Sequence, residues 1–361
     1  MAPVLRALRA EPEIETLIVA SGQHRDLVAP VLAEFGLAPD ADLKVMRPRQ
    51  ELAALTARLL VGLDRWLAAA RPDLVVAQGD TTTVLAAALA AFYRRIPFAH
   101  VEAGLRTYDA TQPFPEETNR TLVARLARLQ FAPLDSNRRQ LEAEGVPPAW
   151  IHVTGNPVVD AVREIAGRQA PLPVELPALR PETRLVLLTV HRRESFGAPL
   201  RSIAAGVRAL VDGDPSLLLV APVHPNPAVA RPLRAALGRH PRIALLPPLD
   251  YPVLLSLLAR ATLVLSDSGG IQEEAPVLGV PLLVLRERTE RPEVVAAGAA
   301  RLVGADGARL LTAARELLAD EALRRAMCSR GSIFGDGQAG PRIAARILDF
   351  LRAPGGDGAA T

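Results

Sequence analysis

The sequence predicts an α/β protein made of two doubly wound, Rossmann-like domains that face a cleft. Short apolar segments alternate with longer amphipathic ones along the chain, a pattern typical of parallel βαβ units with helices on both faces of a sheet. The chain has 361 residues, more than one ordinary core holds. A proline-rich segment, 171–183, separates two sets of alternating segments, and we therefore expect one domain on each side of it.

The first domain is expected to span residues 1–168, and a last helix over 338–352 is expected to complete it. Its other helices are predicted over 25–36, 50–70, 83–95, 116–128 and 136–145. Its strands are predicted from five apolar segments, TLIVAS (16–21), LVVAQG (74–79), FAHVE (98–102), LQFAP (129–133) and IHVTG (151–155).

The second domain is expected to span residues 180–335, and the chain is expected to end in a disordered tail over 353–361. The strands of this domain are predicted from RLVLLTV (184–190), LLLVAPV (217–223), IALLPP (243–248), LVLSDS (263–268) and PLLVL (281–285).

The composition excludes several classes of function. Lys and Arg total 42 against 39 Asp and Glu, and without a basic run we expect no nucleic acid binding. The single cysteine, Cys328, excludes an internal disulfide and a cysteine-based zinc site. No metal or cofactor motif is present, so we expect the chemistry to use side chains and a nucleotide carried by the substrate. Without a signal peptide or a spanning segment, we expect a cytoplasmic protein with no membrane partner.

Polar clusters follow five of the predicted strands at their carboxyl ends, where open parallel sheets bind ligands. One such cluster would be ordinary, but five at equivalent positions predict the walls of a single cleft between the domains. The clusters are Gly79–Thr83, His100–Arg106, His191–Glu194, His224–Asn226 and Asp267–Gly270.

The segment SDSGGIQEEAPVLGVP predicts a site for a nucleoside diphosphate. Its Ser-Gly-Gly turn, 268–270, stands where a strand runs into a helix, and N–H groups at a helix N-terminus bind phosphate. Glu274 lies one turn further on and is suited to accept two hydrogen bonds from a ribose diol, whereas Glu273 is expected to be a surface charge. The alternative interpretation is ordinary helix capping by Ser268.

Arg291 is a second candidate for the diphosphate. It precedes a helix that Pro292 starts, and an arginine at a helix N-terminus is unfavourable unless an anion or an acid compensates it. The alternative is an ion pair with Glu290 or Glu293.

Acid–base groups are expected among Asp80, Glu102, Glu116 and His191. Glu102 is the most distinctive, because it would lie inside a buried strand, where burial raises the pKa of a glutamate and suits it to proton transfer. The alternatives are N-capping by Asp80, an ordinary first-turn acid at Glu116 and a structural role for His191.

Several long motifs, in order along nearly the whole chain, resemble the bacterial non-hydrolysing UDP-N-acetylglucosamine 2-epimerases. The resemblance implies the two-domain glycosyltransferase-B architecture, a homodimer, and interconversion of UDP-N-acetylglucosamine and UDP-N-acetylmannosamine through UDP and 2-acetamidoglucal. The motifs are QGDTTTVLAAALAAFYRRIPFAHVEAGLRT (78–107), PFPEETNRTL (113–122), VTGNPVVDA (153–161), HRRESFG (191–197), HPNP (224–227), SDSGGIQEEAPVLGVPLLVLRERTERPE (266–293) and GDGQA (335–339).

The same resemblance assigns roles to individual residues. Those matching the family's catalytic groups are Asp80, Glu102, Glu116 and His191. Those matching its UDP contacts are Ser268, Gly269, Gly270, Glu274 and Arg291. Those matching a second UDP-N-acetylglucosamine site, occupied by an activator, are Gln23, Arg49, Arg192, Glu194 and His224.

The chain departs from the family at its start. Family members open with a strand and a GTRPE-type turn, whereas this sequence begins at the helix that comes next, with Met1-Ala2-Pro3. We therefore expect the first domain to lack its first strand, and the chain to be a shortened form that is aggregation-prone or weakly active. Three alternatives to the epimerase stay open: a hydrolysing epimerase, a glycosyltransferase that uses a UDP-sugar, and a nucleotide-sugar-binding protein without turnover.

Overall fold

A computed structural model describes residues 1–23, 25–47, 50–168, 170–174, 176, 180, 182–328 and 333–353, with the side chains of 25–29 and Arg193 left undescribed. The chain divides into two compact units. Unit 1 comprises Met1–Ala161 and Gly335–Thr361, and unit 2 comprises Val162–Phe334. The expected tail lies outside the described residues apart from Ala353.

Unit 1 contains two parallel sheets. Strand β1 (Val19–Ala20) pairs with β2 (Ala41–Asp42), and a second sheet has the order β3-β4-β5-β6. The strands of the second sheet are β3 (Val75–Gln78), β4 (Phe98–Val101), β5 (Leu129–Ala132) and β6 (Ile151–Val153). The helices are α1 (Ala2–Ala10), α2 (Arg25–Glu34), α3 (Leu52–Ala70), α4 (Thr82–Tyr93), α5 (Glu116–Leu126), α6 (Asp135–Ala143), α7 (Pro157–Ala166), which runs on into unit 2, and α15 (Ala339–Arg352).

Helices cover the four-stranded sheet of unit 1 with apolar side chains. The first and last helices of the chain pack together, and Val4 of α1 and Ile343 of α15 share a buried cluster with Val101 and Phe131. Another cluster joins α3 and α4 to Phe98. The last helix of the chain therefore belongs to the core of the first unit.

Unit 2 is a six-stranded parallel sheet in the order β12-β11-β10-β7-β8-β9. Its strands are β7 (Arg184–Thr189), β8 (Leu217–Pro222), β9 (Ile243–Leu246), β10 (Leu263–Ser266), β11 (Leu282–Val284) and β12 (Ala300–Leu302). Its helices are α8 (Ala198–Asp212), α9 (Pro227–Leu237), α10 (Tyr251–Arg260), α11 (Gly269–Val277), α12 (Pro292–Ala296), α13 (Gly307–Ala319) and α14 (Glu321–Cys328). This strand order is that of a doubly wound dinucleotide-type fold.

Close helix packing in unit 2 depends on two glycines. A Cβ atom at Gly206 of α8 would lie 2.3 Å from the carbonyl oxygen of Gly307, where α13 begins. The two backbones therefore approach more closely than any side chain allows. Strands β7, β8 and β10 are almost wholly buried beneath these helices, as expected for strands with helices on both faces.

The predicted α/β class with two doubly wound units is confirmed. The predicted strands are present with shorter ends, and β2 and β12 are additional strands that apolar runs did not indicate. Among the described residues, none of the helices combines the length and hydropathy that a membrane span requires.

Candidate active site

The strand order of unit 2 reverses between β7 and β10, and residues that come directly after these two strands meet there. Asp267, fully buried after β10, accepts hydrogen bonds from the backbone N–H groups of His191 at 3.0 Å and Arg192 at 2.9 Å. It also accepts one from the Ser195 hydroxyl at 2.8 Å, and its Oδ1 lies 3.3 Å from His191 Nδ1. Asp267 therefore fixes the segment that carries His191.

The surroundings of His191 favour the neutral form of its imidazole. Burial lowers the pKa of His191 below its usual 6.5, although the charge of Asp267 partly opposes this shift. The ring stacks on that of His224, with centroids 6.3 Å apart. A neutral imidazole beside an exposed surface is available for hydrogen bonding or proton transfer to a ligand.

The N-terminus of α11 has the form expected of an anion site. Ser268 occupies the N-cap position, but its side chain makes no capping hydrogen bond, so the capping alternative is wrong. Gly270 is exposed, and a Cβ atom placed there would lie 3.9 Å from Glu274 Oε1 and 4.0 Å from Ser268 Oγ. The serine hydroxyl and the glutamate therefore border the same space.

The carboxyl group of Glu274 is an unusually weak acid. The residue is 8% exposed and accepts a hydrogen bond from the Tyr251 hydroxyl at 3.1 Å. Burial raises the pKa of Glu274 to about 7, and the contact with Tyr251 only partly offsets it. This carboxyl group is thus half-ionised near neutral pH.

Arg291 is held by two carboxylates close to the start of α11. Its Nε donates to Glu273 Oε1 at 2.6 Å and its Nη1 to Glu290 Oε1 at 2.8 Å. The expected alternative of an ion pair with Glu290 is therefore observed, and the expectation that Glu273 is a surface charge is wrong, because Glu273 is only 4% exposed. The guanidinium still lies at the candidate anion site, since a Cβ atom at Gly269 would be 2.9 Å from Arg291 Nη1.

Two of the expected activator contacts join the same ion network. Arg286 donates from Nε to Glu194 at 2.8 Å and from Nη1 to Glu290 Oε2 at 2.7 Å. Arg192 Nη2 lies 3.6 Å from Glu290 Oε1. The sequence offers Glu290 only as an alternative ion-pair partner of Arg291 and does not indicate Arg286, because the sequence alone does not show which distant charges lie together.

Asp80 lies in the turn between β3 and α4 of unit 1. Its carboxylate accepts a hydrogen bond from Arg120, and its backbone carbonyl accepts one from Asn119 Nδ2 at 2.9 Å. The N-cap of α4 is Thr81, so the capping alternative for Asp80 is wrong. Two residues of α5 thus hold Asp80 at the end of the sheet.

Glu102 comes after β4 and is not part of the strand, which corrects the expectation of a strand position. The strand ends at Val101, and Glu102 has a φ of 67°, a left-handed conformation that is uncommon for a side chain of this size. Its Oε2 accepts a hydrogen bond from Gln78 Nε2 at 3.3 Å. The turn places the carboxylate beside Gly79, where a Cβ atom would lie 3.7 Å from Oε2, and so next to the turn that carries Asp80.

Glu116 is the first residue of α5 and is half-buried, whereas its neighbour Glu117 is buried. Glu117 accepts hydrogen bonds at 3.0 Å from the backbone N–H groups of Thr107 and Tyr108 and one from Arg120 Nη1 at 3.2 Å. Glu117 therefore ties the loop after β4 to the arginine that holds Asp80. Sequence reasoning missed this role, since adjacent acids in a first turn look alike.

Of the three remaining expected activator contacts, the structure describes two. Gln23 accepts a hydrogen bond from the Thr83 hydroxyl in unit 1, and His224 lies beside His191 in unit 2. Arg49 lies outside the described residues.

The two doubly wound units define an α/β protein, and the glycine-rich start of α11, with an arginine and a carboxyl group nearby, is its candidate anion site. The sequence profile described as UDP-N-acetylglucosamine 2-epimerase matches residues 6–348. A Salmonella typhimurium UDP-N-acetylglucosamine 2-epimerase is 43% identical over 360 residues, covering 98% of this chain and 95% of that protein.

Solved structures of UDP-GlcNAc 2-epimerases are also similar to this chain. The UDP-GlcNAc 2-epimerase from Neisseria meningitidis, bound to UDP-GlcNAc, is 36% identical with a TM-score of 0.92, covering 97% of this chain and 96% of that one. The Methanocaldococcus jannaschii enzyme, in complex with UDP-GlcNAc and UDP, is 31% identical with a TM-score of 0.82, covering 97% and 95%. The chain belongs to the UDP-N-acetylglucosamine 2-epimerase family and is an isomerase.

Proposed function

We propose that this chain interconverts UDP-N-acetylglucosamine and UDP-N-acetylmannosamine without net hydrolysis, for the synthesis of cell-surface polysaccharide precursors. The observation that carries the proposal is the start of α11, where Ser268 and Glu274 border one space at Gly270 and Arg291 lies beside Gly269. The Neisseria meningitidis and Methanocaldococcus jannaschii relatives, both bound to UDP-GlcNAc, support it.

The nucleotide is assigned to this part of unit 2. The diphosphate would accept hydrogen bonds from the backbone N–H groups of Gly269 and Gly270, from the Ser268 hydroxyl and from Arg291, which together favour a bound anion. The ribose hydroxyls would donate to Glu274, which must be ionised to accept both. A helix start alone selects only an anion, and the carboxyl group one turn away adds the selection for a nucleoside.

The chemistry is assigned to Asp80, Glu102, Glu116 and His191. A base removes the proton from C2 of the sugar while the C1–O bond breaks, and the electron pair of that bond leaves with UDP to give 2-acetamidoglucal. UDP then adds back at C1 as an acid delivers a proton to the opposite face of C2. These steps need acid–base groups and hydrogen-bond donors that stabilise the leaving diphosphate. The chain carries candidate residues for both roles.

The proposal extends to a second UDP-N-acetylglucosamine, bound as an activator by Gln23, Arg49, Arg192, Glu194 and His224, and to a homodimer. The match of these residues to the family pattern is the support. Initial rates measured against UDP-N-acetylglucosamine should then be sigmoidal, and Arg49→Ala should lower the cooperativity more than the maximal rate. The mass of the native protein in solution tests the dimer.

Turnover in D2O tests the reaction itself. The purified protein is incubated with UDP-N-acetylglucosamine, and products are followed by NMR spectroscopy and mass spectrometry. UDP-N-acetylmannosamine carrying deuterium at C2 is the expected result. Free UDP with free N-acetylmannosamine would identify a hydrolysing enzyme, and binding without deuterium exchange would identify a non-catalytic binding protein, so either outcome overturns the proposal.

A further inference from the structure

Glu290 is the common partner of three arginines at the start of α11. The residue is 4% exposed. Its Oε1 accepts from Arg291 Nη1 at 2.8 Å and lies 3.6 Å from Arg192 Nη2. Its Oε2 accepts from Arg286 Nη1 at 2.7 Å. Glu290 is thus the centre of the ion network, although it is not among the residues assigned to catalysis or nucleotide binding.

This carboxylate stays charged throughout the neutral range. Burial alone would favour its neutral form, but the guanidinium groups of Arg291, Arg286 and Arg192 lower the pKa of Glu290 to about 2. A buried carboxylate is stable only when it is paired in this way. Glu290 is therefore a fixed negative charge that does not exchange protons with a substrate at neutral pH.

The ion pairs fix the orientation of Arg291. Its Nε is bound to Glu273 and its Nη1 to Glu290, and two bonds to different atoms of a planar guanidinium set the plane and the direction of the group. Two carboxylates also offset its positive charge, which reduces its general attraction for anions. Arg291 therefore has less net positive charge around it, but its hydrogen-bond donors are preorganised. Such a fixed donor favours ligands of one geometry.

The geometry of Gly269 ties the network to the anion site. A Cβ atom at this first residue of α11 would lie 2.9 Å from Arg291 Nη1, 3.0 Å from Glu290 Oε1 and 3.1 Å from Arg192 Nη2. The three charged groups therefore pack directly against the helix start, and movement of Glu290 would change the position of both guanidinium groups there.

We propose that Glu290 is a positioning residue that orients Arg291 for the diphosphate bound at the start of α11. This inference rests on the proposed function, since it assumes that a nucleoside diphosphate binds there. Glu290 does not itself contact the nucleotide.

Calorimetric titration of Glu290→Gln with UDP and with uridine tests the inference. UDP affinity should fall about tenfold or more, the scale expected for hydrogen bonds to a charged group, while uridine affinity is unchanged because Glu274 is intact. If Glu290 had only a structural role, its substitution would lower the affinities for UDP and for uridine together. In an Arg291→Ala background, Glu290→Gln should lower UDP affinity by less than about threefold, because the arginine that Glu290 orients has already been removed.

The matched control is Glu316→Gln, which removes an ion pair with Arg301 on the exposed surface of the same unit and should leave both affinities unchanged. If Glu290→Gln does not fold, Glu290→Asp can be titrated in the same way, because it keeps the buried charge on a shorter side chain. A UDP-to-uridine affinity ratio in the folded Glu290 variant that equals or exceeds that of the wild type would overturn the inference. A wild-type protein that binds no UDP would instead overturn the proposed function.

Discussion

At the scale of single residues, the candidate site places carboxyl groups in unlike surroundings. Glu290 is surrounded by arginines and stays ionised, whereas Glu274 is buried against a tyrosine and its pKa is raised to about 7. One group is thus a constant charge, and the other titrates in the range where the protein would work.

The ionisation of Glu274 predicts pH-dependent binding of uridine. Only the ionised carboxylate accepts both ribose hydrogen bonds, so uridine affinity should rise as the pH rises towards about 7 and level off above it. Uridine is preferable to UDP because its own charge stays constant in this range. Titrations between about pH 5 and about pH 8, which bracket the pKa of this carboxyl group, check the prediction, and Glu274→Gln should bind weakly with a flat profile. A wild-type affinity that does not vary with pH would contradict the ribose assignment.

The same shift predicts a pH dependence of stability with the opposite sign. Because the folded state holds the Glu274 proton more tightly than the unfolded state does, this contribution to the free energy of unfolding is full below pH 4.5 and is lost as the pH rises through about 7. The loss is on the order of 3 kcal/mol. Urea denaturation of wild type and Glu274→Gln at several pH values measures it. The difference between the two proteins should change with pH, and a constant difference would contradict the assignment.

Catalytic variants test the proposed chemistry. Asp80→Asn, Glu102→Gln and His191→Asn should each lower kcat by about 100-fold or more, the usual contribution of a positioned acid or base, with little change in UDP affinity. Asp64→Asn, which breaks an ion pair with Arg94 on the surface of unit 1, is the control and should keep full activity. Near-normal turnover in any of the three variants would remove that residue from the mechanism.

At the scale of elements, sequence patterns predict strands better than they predict the turns at the ends of strands. Long apolar runs indicated β7 and β10, because strands covered on both faces have no polar alternation to obscure them. The pattern extended β4 by one residue to Glu102, since only the backbone shows that the chain turns there. Residues of α11 are buried on nearly all sides, so the sequence could not show that Glu273 faces inward as Glu274 does. Motifs indicated the catalytic candidates, whereas the contacts of Asp80 with Arg120 and of His191 with Asp267 became apparent only from the fold.

The crossing of α8 and α13 predicts opposite effects for two glycine substitutions. Gly206→Ala places a Cβ atom 2.3 Å from the Gly307 carbonyl oxygen and should lower the free energy of unfolding by about 1–3 kcal/mol through overpacking. Gly62→Ala, within helix α3, meets only ordinary contacts from 3.6 Å and should raise it by about 0.5–1 kcal/mol. Chemical denaturation measures both, and equal effects at the two sites would contradict the described helix packing.

At the scale of the whole molecule, the last helix contributes to the core of the first unit. Ile343 of α15 is fully buried in a cluster with Val4 and Phe131. Ile343→Ala should destabilise unit 1 by about 2–5 kcal/mol, and hydrogen exchange should increase in peptides that contain β4 and β5. Peptides that contain β7 and β8 serve as the internal reference, and the exposed Arg346→Ala is the control variant. A faster exchange confined to α15 itself would contradict its place in the core.

The return of the chain to unit 1 also has a consequence for synthesis on the ribosome. Val4 and Leu8 are translated more than three hundred residues before their partners Ile343 and Ile347. Domains usually fold as units in the order in which they emerge, yet here the first unit lacks part of its core until unit 2 has been made. The nascent chain should therefore hold an incomplete apolar face while unit 2 folds, and unit 1 should close only when α15 leaves the exit tunnel.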